Sequence, residues 1–151
     1  MKKLFTLILF TAFFIACNKN QTGTVSTQDN KIAGKWKIIT VTVIPRDSTG
    51  TAINNGTIYT EPPYYYYQFN TNLTWVENLA PDTNAGIDES GSYILHGDSS
   101  FTLINANAPS KAAECKIASL TDTSFVFNFQ RTTLFNGVTP GYLEYIFQLK
   151  K

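Results

Sequence analysis

Few residues in this chain could do covalent or metal chemistry. One histidine, His96, and two cysteines, Cys17 and Cys115, are spread through 151 residues. A zinc site needs Cys and His ligands at short, matched spacings, and no such spacing occurs. Asp82, Asp88 and Glu89 crowd the segment "PDTNAGIDES". They do not follow the ligand order of a calcium loop, so they read as solvated charges. There is no G-x-S-x-G elbow, no phosphate-binding P-loop and no G-x-G-x-x-G after a strand. Cys115 lies in an apolar strand pattern with nothing nearby in sequence to lower its pKa, which predicts a buried, inert thiol. His96, in "HGDSS", reads as a solvated turn residue. Twelve basic residues balance eleven acidic ones without a basic stripe, so no electrostatic footprint for nucleic acid is present. These absences predict a protein that is not an enzyme and uses no cofactor or metal.

What remains is aromatic. Tyr64 to Tyr67 stand in a row within "EPPYYYYQFN". On a strand, alternate side chains take opposite faces. Tyr65, Tyr67 and Phe69 then share one face, and Tyr64 and Tyr66 the other, so the four tyrosines cannot form one platform.

The N-terminus is built for targeting. Lys2 and Lys3 precede an apolar run from Leu4 to Ala16, which is too short to span a bilayer and suits a signal h-region. The run ends in "FIAC", which resembles the lipobox of bacterial lipoproteins, with Phe14 where that family usually has Leu. The resemblance implies cleavage after Ala16 and lipidation of Cys17, hence a cell-envelope protein held in the membrane, by expectation the outer membrane, through a lipid anchor. Residues 17–32 are polar and read as a flexible tether, and the folded domain is expected over 33–151. About 15 residues of such a coil reach roughly 20 Å. Removing 1–16 leaves ten basic against eleven acidic residues, and leaves Cys115 without a disulfide partner. "DST", Asp47-Ser48-Thr49, resembles the short O-glycosylation signal of Bacteroidota envelope proteins, which would fall on Ser48.

From Ala33 onward the pattern is all-β. β-branched and aromatic runs fall at 35–44, 64–70, 73–78, 91–95, 100–105, 114–120, 124–130 and 142–150. The links at 71–72, 96–99 and 121–123 are hairpin-length, whereas those at 45–63, 79–90, 106–113 and 131–141 are long. Short and long alternate, as they would in an antiparallel up-and-down sheet with tight turns at one end. Closure removes the two exposed edges of such a sheet. The expectation is an eight-stranded antiparallel up-and-down β-barrel with a tight base and a looped mouth.

This barrel resembles the lipocalin family. "GKW", Gly34-Lys35-Trp36, matches the family's G-x-W on the first strand, and Thr121-Asp122 matches its T-D turn before the seventh. The family usually has an Arg near the end of the last strand, covering the base Trp. Here Lys150 and Lys151 stand there, and neither has a planar guanidinium.

A barrel of this size is either filled by its side chains or holds one small ligand. The inward face is expected to carry Ile38, Tyr65, Tyr67, Trp75, Tyr93, Leu103, Phe127, Phe129 and Tyr145. The functional reading is a pocket near the mouth, rimmed by Tyr65 and Tyr145, for a small apolar or amphipathic ligand. The alternative is a ligandless interaction module that meets an envelope protein partner through the mouth loops or an outer wall of Ile39, Val41, Tyr64 and Tyr66.

Overall fold

The computed structural model describes residues 31–62, 64–78, 89–137 and 139–151. The signal segment, Cys17, most of the tether, Asp82 and Asp88 lie outside the described residues. Nine strands form one sheet: β1 (Gly34–Asp47), β2 (Thr57–Thr60), β3 (Tyr66–Phe69), β4 (Thr74–Asn78), β5 (Glu89–Leu95), β6 (Ser100–Asn105), β7 (Ala108–Leu120), β8 (Ser124–Phe135) and β9 (Thr139–Lys150). Every pairing is antiparallel, and β1 pairs with β9 to close the sheet. Strands β2 and β3 lie end to end along one edge of β1, at 40–43 and 34–37 respectively, and so share one position in the ring. The expected closed eight-stranded up-and-down barrel is therefore present.

Aromatic side chains fill the lower barrel. Trp36, Ile38, Phe69, Tyr93, Phe101, Phe125, Phe127 and Leu149 are completely buried or nearly so. Their rings meet mostly edge to face, such as Trp36 on Phe125 at 5.5 Å and Phe69 on Tyr93 at 5.4 Å between centroids. Such contacts add about 0.5–1.5 kcal/mol each beyond area burial. Polar tips are satisfied from the backbone: Trp36 Nε1 donates to Ile32 O at 2.7 Å, and Tyr93 Oη to Asn70 O at 2.8 Å. Cys115 is buried among them with its thiol pushed up to about 12, chiefly by burial.

The base explains the short motifs. Gly34 has φ 135°, and a Cβ there would stand 3.2 Å from Lys151 Cε. That lysine crosses the opening and sets its Nζ 4.5 Å from the centroid of the Trp36 ring. Its backbone N–H donates to Thr123 O in the β7–β8 turn. In that turn Thr121 Oγ1 accepts from Ser124 N at 3.0 Å, while Asp122 is exposed.

Ile32, next to the expected boundary, is fully buried, and its carbonyl accepts from the Trp36 indole N–H. Several expectations need correction. Two of the four long mouth loops are short. β7 starts at Ala108, leaving 106–107 between strands. β8 runs to Phe135 and turns through Asn136 and Gly137, both left-handed at φ 52° and 75°. Asn-Gly is a favoured hairpin turn for that reason. The long first loop is largely a hairpin folded back along β1, held by Ile53 N to Pro45 O and by β2. Ser48 is exposed at its tip. The outer wall also differs. A bulge between Ile38 and Thr40 shifts the alternation of β1, so Val41 packs on the core opposite Phe147 instead of facing outward. Ile39 and Tyr64 are exposed at 37% and 47%, while the ring of Tyr66 lies under Lys35 Nζ at 3.6 Å.

Candidate functional site

The β7–β8 ladder ends at Cys115↔Phe129, although both strands continue toward the mouth. Above that point β7 stays with β6, down to Asn105↔Ala108, while β8 stays with β9, up to Phe135↔Thr139. The barrel wall is split there. Behind the split lies a cavity of about 670 Å³, within the range of small-molecule sites. Its apolar floor is Tyr67, Trp75, Leu103 and Phe129, and Ala113 adds to it.

Local sequence explains the floor. Trp75 lies opposite Gly91 in the β4–β5 register. A Cβ on Gly91 would approach Ile104 O to 1.8 Å, so only glycine lets β5 and β6 come this close. The indole N–H donates to Ser92 O at 3.1 Å and reaches Ile104 O at 3.4 Å, which fixes the ring over the gap.

Charged groups ring the floor. Tyr67, Glu77 and Glu89 form one cross-strand row on β3, β4 and β5, each opposite the next. Directly opposed like charges disfavour each other. Glu77 is only 8% exposed, and burial, reinforced by Glu89, raises its carboxyl from 4.5 to about 7 against the opposing pull of a Tyr67 hydrogen bond and of Arg131. Burial and the Glu77 charge hold the Tyr67 phenol well above its ordinary value, so it is a donor throughout the physiological range. On the other wall, Lys111 of β7 and Arg131 of β8 stand at the two lips of the split, with Asn105 beside them on β6. Arg131 lies over the stacked rings of Phe129 and Tyr145, 5.6 and 5.9 Å from their centroids. Among the described residues the one ion pair within 4 Å is Arg46–Glu144, on the outer wall. The cavity's acids and bases are thus not paired with each other at that distance.

Of the nine interior positions expected from sequence, Tyr67, Trp75, Leu103 and Phe129 line the cavity. Ile38, Tyr93 and Phe127 belong to the packed core beneath it. Tyr65 and Tyr145 pack against that core and do not rim the cavity, which opens on the β7–β8 side instead. The sequence reading missed Glu77, Lys111 and Arg131, and it took Glu89, which lines the cavity, for a solvated charge. Alternation could have found Glu77, two residues beyond the inward Trp75, whereas the other three fell in segments read as loops. His96 is at the other end, exposed in the β5–β6 turn. Its Nε2 lies 2.6 Å from Thr102 Oγ1, whose hydroxyl donates to Glu114 at 2.8 Å, so the imidazole N–H is the donor to Thr102.

No family model matches the chain, and no curated protein matches it. Among solved structures, the bovine lipocalin allergen Bos d 2 is similar at 16% identity, over 82% of this chain and 74% of that one, with a TM-score of 0.42. The barrel assignment rests on the strand pairing of this chain itself, with β1 hydrogen-bonded to β9 and eight antiparallel positions in the ring.

Proposed function

We propose that this barrel is a non-catalytic binding protein that takes a small amphipathic molecule into the cavity behind the β7–β8 split. The observation that carries the reading is the 670 Å³ cavity, floored by Tyr67, Trp75, Leu103 and Phe129 and edged by charge, above an otherwise filled aromatic core. Trp75 sits in the lining while Trp36 is sealed in the base. A bound guest should therefore alter the Trp75 emission and leave that of Trp36 unchanged. Native mass spectrometry of protein purified from its own host, followed by fluorescence of a Trp75→Phe variant, tests this. A stoichiometric small molecule whose signal vanishes in the variant supports the reading. A protein that carries and accepts no small molecule removes it.

The reading extends to location. A lipid on Cys17 would anchor the protein in the cell envelope, with the outer membrane as the proposed site. The chain enters β1 at the base, beside Trp36, so a tether of roughly 20 Å would bias the base toward the bilayer and the mouth away from it. Cys17→Ala should move the protein to soluble fractions. Cross-linkers should find Asp98, in a base turn, nearer the headgroups than Thr51. Membrane retention of the variant, or the reverse order of distances, refutes this placement.

A further inference from the structure

The charges around the cavity are sorted by wall. Glu77 and Glu89 face inward from β4 and β5, while Lys111 and Arg131 stand on β7 and β8. In the ring order Glu89 on β5 and Lys111 on β7 are two strand steps apart, and the other acid–base combinations are three or four, so the acids and the bases occupy different arcs of the barrel. Nothing within ion-pair distance joins them. Two adjacent acids that repel, one of them buried, are stabilised by a cation brought between them. Two bases at the lips of an opening are stabilised by an anion. Above about pH 7, where Glu77 is ionised, the charges number two against two, so a ligand that carries both signs meets both arcs.

Resting on the binding function proposed above, we propose that the ligand is a zwitterion with separated charges: an amine seated against Glu77 and Glu89, a carboxylate held between Lys111 and Arg131 at the split, and an apolar body against Trp75, Leu103 and Phe129. The deep end takes the amine because Glu77 is buried at 8% exposure, whereas Lys111 and Arg131 are exposed. Tyr67 stands opposite Glu77 in the cross-strand register, and a carboxylate has acceptor sites enough for both a phenol and an amine. The cationic end enters first and the anionic end stays at the portal.

The test uses four probes on one para-disubstituted benzene body, titrated calorimetrically into the folded chain at pH 8. One carries aminoethyl and carboxyethyl groups, one the amine alone, one the acid alone, and one has both replaced by hydroxyls. The zwitterion should bind about tenfold or more tighter than each of the other three, the scale of one charge-assisted hydrogen bond. Glu77→Gln should erase the advantage conferred by the amine and spare the acid-only probe. Lys111→Met, at an exposed position, should do the converse, and circular dichroism should confirm that both variants fold. Equal affinity for the zwitterion and the neutral probe, or variants that weaken all four probes alike, overturns the charge assignment while leaving the cavity as a binding site. Failure of all four probes to bind overturns the binding function itself.

Discussion

The two halves of this barrel use the same strands for opposite ends. In the lower half, inward positions such as Trp36, Phe69, Phe101 and Phe125 are aromatic and fully buried, and polar tips are bonded to backbone. In the upper half, the next inward positions become Glu77, Glu89, Lys111 and Arg131, and one ladder lets go. The base therefore spends its interior on burial, which stabilises the fold. The mouth leaves an acid in low dielectric and two strands parted, which costs stability. Features of that kind persist where a site needs them.

The sharpest way to break the contrast is to truncate one residue at each end. Phe125→Ala should cost about 3–5 kcal/mol, because it removes a fully buried ring that meets Trp36, Phe69, Phe101 and Phe127. Lys111→Met at the mouth should stay within about 0.5 kcal/mol of the parent, as surface changes do. Urea unfolding of the two variants gives the comparison. Similar losses at both ends would mean that the mouth is as tightly packed as the base.

The next effect separates the halves by pH. The Glu77 carboxyl is raised in the folded chain, from 4.5 to about 7. Between those values the folded state holds a proton that the unfolded chain has released, so stability must fall as pH rises. The contribution is fully present below pH 4.5 and lost by the time pH passes about 7. A carboxyl moved that far carries about 3 kcal/mol of linked stability. The groups facing it are Tyr67 on β3, Glu89 on β5, and Lys111 and Arg131 across the cavity. Glu77→Gln keeps an acceptor for Tyr67 but cannot ionise. It should raise stability at pH 8 by up to about 3 kcal/mol and flatten the profile of unfolding free energy between pH 4.5 and 7. An unchanged slope would place the responsible carboxyl elsewhere.

The same division decides what was legible in the sequence. The base was legible because a run such as "SFVFNFQ" states its own period: Phe125, Phe127 and Phe129 face inward. The tyrosine row resolved by the same alternation, with Tyr67 buried and Tyr64 exposed. The mouth was not legible in that way. Pro45, Pro109 and Pro140 fall in the upper parts of β1, β7 and β9, where proline argues against a strand. The β-branched and aromatic runs stop short of these strand ends, which therefore read as loops. The bulge after Ile38 leaves no mark in composition, yet it turns Val41 inward. Glu77 was in phase with Trp75 and could have been assigned inward, but a charged side chain facing a barrel interior runs against expectation until a cavity is seen there. The parting of β7 from β8 depends on which neighbour each strand keeps, and that is a property of the closed sheet.

The smallest effect lies at the very bottom. Lys151 Nζ sits 4.5 Å from the Trp36 centroid. An ammonium there is attracted to the ring face but cannot stack on it. Its alkyl stem also fills the space beside Gly34, where Cε lies 3.2 Å from a hypothetical Cβ. The backbone bond from Lys151 N to Thr123 O does not depend on the side chain. Lys151→Ala should therefore lower the unfolding midpoint slightly and leave ligand binding at the mouth unchanged. Lys151→Arg should raise it, because a planar cation can cover the indole. The order Arg above Lys above Ala, read from urea midpoints at one pH, supports a cation closing the base. If Ala matches Lys, the ring is sealed by Ile32 and Phe125 alone, and the terminal lysine is only solvated charge.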